Sequence, residues 1–235
     1  MKINTQATLK TCSESEVFES VLSLDNQNIL ELGCGDASLT RLIATTGEGR
    51  LITATEVDTI QHQKNKHIDD LPMVRFELAG SEDIPARDNS FDTVFMFKSL
   101  HHVPEALLDK ALEEIKRVLK PGGLAYISEP IFSGDFNEVL RLFHNEEKVR
   151  AAAFFAIEKA VKTKQFSLVD ELFFNTVINF ENFTQFADRV ITSTHSEHNL
   201  SEKSLSEVKQ KFNASHGQND GTFLIPIRVN LLQKN

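Results

Sequence analysis

The sequence predicts an α/β fold, in which a doubly wound, mostly parallel sheet of seven strands carries a helical cap in its C-terminal half. Three observations lead to this prediction. Short apolar runs alternate with helical patterns over residues 28–130. Two further strand-like runs follow at 171–180 and 222–232. The composition also shifts, because eleven of the 18 Phe residues lie between Phe132 and Phe186, largely in helical patterns.

The five early strands are short runs dominated by aliphatic, aromatic and β-branched residues, at 28–33, 50–57, 73–78, 91–97 and 124–130. Helices are predicted before and between them, at 13–24, 37–46, 59–69 and 104–119. Strands that alternate with helices form βαβ units in a parallel sheet. Because such crossovers are right-handed, few topologies remain, and we expect a Rossmann-like arrangement.

The chain of 235 residues fits one domain with three parts. Residues 1–27 form an N-terminal helical segment, and residues 28–130 form the ligand-binding core. Residues 131–235 add helical insertions, including a long helical pattern at 136–162, and the last two strands. Since ligand pockets often lie under such insertions, this part is expected to select the substrate, although its Phe residues also suit a plain apolar core.

Composition and charge narrow the class of function. The net charge of −9 makes nucleic acid an unlikely partner, because phosphate binding depends on clustered Lys and Arg. Cys12 and Cys34 lack metal-ligand spacing and suit free thiols in a reducing compartment. No signal peptide is evident, and no apolar stretch approaches the roughly 20 residues of a membrane span. We therefore expect a cytoplasmic protein.

A glycine turn ends the first strand and opens the next helix. Gly33 and Gly35 allow a sharp turn and let a ligand approach the backbone closely. Glu31 precedes the turn, and Asp36 stands at the expected N-cap of the following helix, so negative charge surrounds the site. That charge disfavours the pyrophosphate of a dinucleotide. It suits the cationic sulfonium and ammonium groups of S-adenosylmethionine, although Asp36 is equally explained as a helix cap.

A second acidic signal ends the second strand. Glu56 lies 23 residues after Gly33, close to the interval of about 20 residues at which a carboxylate binds ribose hydroxyls in nucleotide-binding folds. Val57 is expected to pack on the adenine, and Asp58 to cap the next helix. A solvated strand end is the structural alternative for Glu56.

Four stretches occur in the order and spacing of class I S-adenosylmethionine-dependent methyltransferases: ILELGCGDASLTRLIA, ITATEVD, AGSEDIPARDNSFDTVFMFKSLHHV and EEIKRVLKPGGLAYISEP. Over residues 28–130 the chain resembles the broad small-molecule "type 11" branch of that family. The resemblance implies methyl transfer that leaves S-adenosylhomocysteine as product. It says little about the acceptor.

The resemblance also implies roles for individual residues. Glu31, Gly33, Cys34 and Gly35 would surround the methionine part of the cofactor, and Glu56 would hold the ribose. The segment of Ser81 and Glu82 would run beside the adenine. Two positions depart from the family pattern: Gly80 stands where Asp or Asn is frequent, and Ala37 replaces the third glycine of the turn. The adenine contacts therefore stay open.

Strand four delivers basic side chains to the sheet edge where ligands bind in such folds. Lys98 is expected to line the cofactor. His101 and His102 are candidate catalytic bases, because imidazole titrates near neutrality. A base is needed only where the acceptor begins protonated. The alternative is that both histidines merely orient the loop before the next helix.

Strand five ends at Glu129, the third candidate catalytic residue. Its carboxylate would bind a substrate amine or pair with an arginine such as Arg141 or Arg150. No metal is expected. His195 and His198 have a spacing of three residues but no third ligand.

The function predicted from these patterns is transfer of the methyl group of S-adenosylmethionine to O, N or C of a small, partly apolar molecule. Methylation of a protein or an RNA is one alternative. A non-catalytic cofactor-binding sensor or partner subunit is another, and a dinucleotide oxidoreductase is a third. The methyl acceptor and the oligomeric state stay open.

Overall fold

A computed structural model of the chain describes residues 1–5, 7–192, 200–218 and 220–235. Seven strands form one sheet in the spatial order β3-β2-β1-β4-β5-β7-β6. The strands are β1 Asn28–Leu32, β2 Leu51–Glu56, β3 Val74–Leu78, β4 Phe91–Phe97, β5 Leu119–Pro130, β6 Phe166–Asn179 and β7 Thr222–Lys234. The first five are parallel, and β7 runs antiparallel between β5 and β6. The predicted doubly wound, mostly parallel sheet of seven strands is confirmed.

Eight α-helices flank the sheet within the part of the chain that the structure describes. They are α1 Glu14–Val21, α2 Ser38–Thr46, α3 Thr59–Asn65, α4 Leu108–Val118, α5 Asp135–Leu140, α6 Glu147–Lys162, α7 Phe183–Phe186 and α8 Glu202–Gln218. None of them combines the length and the apolar character that a membrane span requires. The two histidines at 195 and 198 lie outside the described residues.

Several boundaries differ from those predicted, among them the start of β6, which lies at Phe166 rather than at residue 171. The helical pattern at 136–162 is two helices, α5 and α6, separated by a turn at residues 141–146. The helix predicted at 104–119 begins only at Leu108, after a short 3₁₀ turn that follows Pro104. Strand β5 already starts at Leu119 and includes the Pro-Gly-Gly stretch, at the cost of an irregular register against β4. The apolar pattern predicted the elements, whereas tertiary pairing sets their ends.

Apolar clusters on the two faces of the sheet hold the core together. On one face, α4 and α6 bury Leu112, Ile115 and Ile157 against the strands. On the other, α1 packs Phe18 into an aromatic group on β4 and β5, with its ring centroid 5.4 Å from that of Phe95. Complete burial of such side chains contributes about 1.5–3 kcal/mol each, so these helices fix the sheet edge that carries the site.

A third apolar cluster forms the interior of the cap. Phe180, Phe186, Phe212 and Phe223 are at most 2% exposed and pack against one another, with ring centroids 4.8–6.0 Å apart for the contacting pairs. Most of the Phe-rich stretch is therefore structural. Phe136 is different, because it also lines a cavity beside the sheet.

Candidate active site

The carboxyl ends of the parallel strands meet along one edge of the sheet, where ligands bind in open α/β folds. The residues that follow β1, β2, β4 and β5 there are Gly33, Val57, Lys98 and Ile131. The sequence order of these segments separates them by tens of residues, but the sheet makes them neighbours. The predicted site residues therefore share one edge.

The glycine turn after β1 is built as expected. Gly33 and Cys34 donate their backbone N–H groups to the carbonyl of Thr55, at 3.0 and 2.9 Å. Gly33 has a φ of 73°, and a Cβ there would lie 2.8 Å from the Cβ of Ser99, so no larger residue fits without movement. Gly35, with a φ of 53°, has open space where its Cβ would be. The turn is closed toward β4 and open at Gly35.

The start of α2 differs from the prediction in one respect. The N-cap position belongs to Ala37, which has a φ of 62° and no capping side chain, whereas Asp36 was the predicted cap. Asp36 stands one residue earlier, and its Oδ1 accepts hydrogen bonds from the backbone N (3.0 Å) and Oγ (2.6 Å) of Ser38. The left-handed conformation of Ala37 explains why the family pattern has a glycine there.

Glu31 is a buried carboxyl beneath the turn. It is 2% exposed, and its Oε2 accepts a hydrogen bond from Thr40 Oγ1 at 2.6 Å. Burial raises the pKa of Glu31 to about 8, with smaller contributions from the charges of Asp36 and Glu56. An adjacent cation would favour its ionised form. Glu31 therefore fits the role predicted for it, beside the positive groups of the cofactor.

Glu56 links the end of β2 to the glycine turn. Its Oε2 accepts the N–H of Gly35 at 2.8 Å, and its Oε1 accepts the N–H groups of Val57 and Asp58 at 2.7 and 2.9 Å. A carboxylate has about four lone-pair positions, and three are used here, so one position remains for a further donor such as a ribose hydroxyl. Val57 is 64% exposed, as a residue that covers an adenine would be in the free protein.

Asp58 is confirmed as the N-cap of α3, since its Oδ1 accepts the N–H groups of Ile60 and Gln61 at 2.7 and 3.0 Å.

Asn65, the last residue of α3, contacts the glycine turn through its side chain. Its Nδ2 donates to the carbonyl of Gly35 at 2.7 Å and to Cys34 Sγ at 3.5 Å. Burial raises the pKa of the Cys34 thiol. Cys34 is consequently a packed, unreactive thiol, and Asn65 is a supporting residue that the sequence analysis missed.

The segment predicted to run beside the adenine begins after β3. A Cβ at Gly80 would lie 2.3 Å from Glu82 Oε2, so the carboxylate of Glu82 occupies the space that the side chain of an Asp or Asn would need. Ser81 is 7% exposed. Glu82 therefore places a carboxylate where the family pattern often has the side chain of an Asp or Asn two residues earlier.

A cavity of about 210 Å³ opens beyond the ends of β4 and β5. Its apolar wall is formed by Pro130, Ile131, Phe136 and Ile225. Its polar wall is formed by side chains from the segment after β4, from the segment after β5, from α5 and α6, and from the turn before α6: Lys98, His101, His102, Ser133, Asn137, Glu146 and Arg150. Such a mixture of apolar walls and a few polar groups is typical of sites for small molecules.

Two of the predicted catalytic residues form a buried pair, of which His101 lines this cavity. His101 Nδ1 donates a hydrogen bond to Glu129 Oε2, and Glu129 Oε1 accepts the N–H of Leu100 at 2.9 Å. His101 Nε2 lies 3.5 Å from Glu146 Oε1. Burial by itself would lower the pKa of His101, but the charges and hydrogen bonds of Glu129 and Glu146 outweigh it and raise that pKa to about 9.

The two arginine partners predicted for Glu129 were wrong. Arg141 pairs with Glu138, and Arg150 pairs with Glu146 rather than with Glu129. The turn between α5 and α6 places Glu146 at the cavity, where it pairs with Arg150, four residues later in the sequence. Glu129 instead pairs with His101 inside the sheet.

The carboxylate of Glu146 accepts hydrogen bonds from neighbouring side chains. Its Oε2 accepts from Arg150 Nη2 at 2.5 Å and Nε at 3.1 Å, and its Oε1 accepts from His144 Nε2 at 2.9 Å. Although burial opposes ionisation, the hydrogen bond from His101 and the charge of Arg150 hold the pKa of Glu146 well below its usual range. The sequence analysis did not single out Glu146. Its spacing of four residues from Arg150 was the available signal.

His102 is in a different state from His101. Its ring centroid lies 4.1 Å from that of His101, and its side chain faces the cavity. Partial desolvation and the neighbouring charge of His101 both lower the pKa of His102 below its ordinary value of 6.5. At neutral pH, His101 therefore carries a proton, whereas His102 is free to accept one.

His101, His102 and Glu146 also bring nitrogen and oxygen atoms within 4.8 Å of one another, the composition of a metal site. The positive charge between the two carboxylates is already supplied by the proton of His101 and by Arg150, which holds Glu146. The two carboxylates therefore have positively charged partners without a metal ion. The expectation of no metal stays a prediction.

Comparison with known proteins gives a consistent answer. Residues 30–127 match a family model described as a methyltransferase domain. Methyltransferase GfsG of Streptomyces halstedii is 26% identical over 129 residues, which cover 53% of this chain and 45% of that protein. The chain spans about half the length, or less, of most of the curated relatives it matches.

Solved structures share the fold at low identity. YcgJ of Bacillus subtilis superposes with a TM-score of 0.66 and 16% identity, over 94% of this chain and 97% of that one. Phosphoethanolamine N-methyltransferase 2 of Haemonchus contortus, solved with S-adenosyl-L-methionine, gives 0.53 and 18% identity, over 94% and 51%. Residues 30–127 therefore carry the methyltransferase domain of the matching family. The sheet of the chain is the one found in Rossmann-like methyltransferase structures.

Proposed function

We propose that this protein transfers the methyl group of S-adenosylmethionine to O, N or C of a small, partly apolar molecule. One observation carries the proposal: the cavity of about 210 Å³ opens on the same sheet edge as the glycine turn and Glu56. A cofactor on the turn and an acceptor in the cavity would then meet at the end of β4, beside Lys98. The volume corresponds to about seven water molecules, which suits a small acceptor.

The residues of the turn fit the cofactor. Bound S-adenosylmethionine supplies a methyl group activated by its sulfonium charge. Glu56 would accept a hydrogen bond from a ribose hydroxyl, while Val57 would cover one face of the adenine. Glu31 would lie beside the positive groups of the methionine part. Gly33, Cys34 and Gly35 would follow its backbone, and Ser81 and Glu82 would line the adenine.

The acceptor end needs positioning more than covalent chemistry, because methyl transfer is an in-line displacement. The acceptor's lone pair forms the new bond to carbon while the carbon–sulfur bond breaks and its electrons return to sulfur. An acceptor hydroxyl or ammonium must also lose a proton. His102 is the residue suited to take that proton, because it is neutral at pH 7 and faces the cavity. His101 and Glu129 hold the loop that presents it.

Replacing His102 tests this assignment. With an acceptor that must lose a proton, His102→Gln should lower kcat by about 10²–10⁴-fold, the usual contribution of a positioned base. In the wild-type protein, kcat should fall as the pH drops through the pKa of His102, below 6.5. The variant should lack this acidic limb. His67→Gln, on an exposed ring elsewhere, is the matched control, and an unchanged pH profile in His102→Gln would contradict the assignment.

Two alternatives predict different products. A macromolecular methyltransferase would leave the methyl group on protein or RNA, and the net charge of −9 disfavours RNA. A sensor or partner subunit would bind the cofactor without turnover. Incubation with methyl-labelled cofactor and panels of small acceptors, peptides and RNA separates these cases. Formation of S-adenosylhomocysteine with a small acceptor supports the proposal, whereas its absence with every panel favours the sensor.

A further inference from the structure

We infer that the acceptor is a small organic anion, with an apolar body and an ionised oxygen group that is bound by Lys98 and Asn137. This inference rests on the proposed function, since it assumes that the cavity of about 210 Å³ is the acceptor site. At this cavity the carboxylate of Glu146 is already paired, whereas the ammonium of Lys98 and the amide nitrogen of Asn137 are not.

Glu146, the carboxylate that lines the cavity, has no acceptor position left for a substrate ammonium. Glu146 accepts two hydrogen bonds from Arg150 and one from His144, and it also faces His101. Glu129 accepts from His101 and from the N–H of Leu100. It also stands opposite Arg228 in the pairing of β5 with β7. An amine acceptor would have to displace these charged donors.

The donors on the same walls are less well matched. Among the residues that the structure describes, the Lys98 ammonium forms no salt bridge or hydrogen bond. Glu14 on α1 feels its charge, but burial raises the pKa of Glu14, so this carboxyl is a weak counter-ion. Lys98 is exposed, so water solvates its ammonium in the free protein, and an anion in the cavity would give it a charged partner at the wall it lines.

Asn137 offers a second unmatched donor. It is 4% exposed, and its Nδ2 is buried without a hydrogen-bond partner. Arg150 Nη1 donates to its Oδ1 at 3.3 Å, which fixes the amide with oxygen toward the arginine and leaves the NH₂ group unused. A buried donor without a partner costs about 1–3 kcal/mol, and a ligand oxygen at this wall would recover that cost.

The apolar wall of the cavity determines the character of the rest of the acceptor. Pro130, Ile131, Phe136 and Ile225 present carbon atoms to the cavity, so the body of the acceptor is apolar. Its size is limited by the volume, which corresponds to about seven water molecules. A ring or short branched chain that carries one carboxylate or phenolate fits these limits.

Three probes of nearly equal shape test the inference: benzoate, benzamide and benzylamine. Each is titrated calorimetrically into the full-length protein saturated with S-adenosylhomocysteine. We expect benzoate to bind at least tenfold more tightly than benzamide, and benzylamine to bind more weakly than either. Equal affinities, tightest binding of benzylamine, or no binding of any probe to the loaded protein would each overturn the inference.

Variants assign the effect to the residues. Lys98→Met should reduce the preference for benzoate over benzamide to about twofold or less, whereas Lys110→Met, on the exposed face of α4, should leave it unchanged. Asn137→Leu should weaken benzoate about tenfold with the affinity for S-adenosylhomocysteine intact, which also reports folding. A preference that persists in Lys98→Met overturns the inference. Failure of the wild-type protein to bind S-adenosylhomocysteine overturns the proposed function itself.

Discussion

Replacing Glu56 by Ala should lower the affinity for S-adenosylmethionine by at least 100-fold, as measured by calorimetric titration. The variant loses two kinds of interaction. The ribose of the cofactor would lack its charged acceptor, and a hydrogen bond to a charged group is worth about 1.5–3 kcal/mol. The turn would also lose the contact from Gly35 N to Glu56 Oε2, at 2.8 Å, which holds it in the binding conformation.

A graded series makes this prediction sharper. Glu56→Gln keeps the volume and one acceptor oxygen, so its loss should be smaller, about tenfold. Glu113→Gln, on the exposed surface of α4, should not change the affinity. Equal cofactor affinity in Glu56→Ala and the wild-type protein would remove Glu56 from the site and leave it as a structural link between β2 and the turn.

The second large effect is expected for the buried pair of His101 and Glu129. The pKa of His101 rises from an ordinary 6.5 to about 9 in the folded protein, so the folded state binds this proton more tightly than the unfolded state. The resulting stabilisation is fully present below pH 6.5 and is lost as the pH rises through 9. By linkage it is on the order of 3 kcal/mol.

Urea unfolding at pH 6.0, 7.5 and 9.5 measures this dependence. Glu129→Gln should unfold more easily at pH 6.0, because removing one partner of a buried ion pair costs about 3–5 kcal/mol, and its stability should vary less from pH 6.5 to 9. Glu31 contributes a decline of the same sign between pH 4.5 and 8, because burial raises its pKa to about 8. Glu31 is unchanged in both proteins, so the difference between them isolates His101.

Glu138→Gln is the matched control for this experiment. It removes a surface carboxylate whose contact with Arg141 is 3.3 Å long, and such exposed pairs contribute about 0–1 kcal/mol. Its stability should follow the wild-type pH dependence. An equal pH dependence of the wild-type protein and Glu129→Gln between pH 6.5 and 9 would contradict a protonated His101 in the folded protein, and it would return His101 to the list of candidate bases.

The core of the fold was predictable because its signals are local. Apolar runs and helical patterns identified β1 to β5, and the turn at Gly33 and Gly35 located the cofactor edge. The role of Asp58 as a cap also followed from its position before a helical pattern. Each of these features depends on a few consecutive residues, so no knowledge of distant contacts was needed.

The acceptor end was harder to predict, since it depends on contacts between distant segments. Glu146 enters the site only because α5 and α6 are separate helices, and the sequence pattern ran through the turn that divides them. Asn137 and Glu14 are polar residues in apolar surroundings, without any motif. The pairing of His101 with Glu129 joins two strand ends 28 residues apart, and only the sheet brings them together.

The ligand that the glycine turn binds decides the function of the protein. Calorimetric titration of the purified protein with S-adenosylmethionine, S-adenosylhomocysteine and NAD in parallel identifies that ligand directly. We expect both sulfur nucleosides to bind with micromolar affinity and NAD not to bind, because the carboxylates of Asp36 and Glu56 stand at the turn, where they disfavour a pyrophosphate. Binding of NAD alone, or of none of the three, would contradict the account.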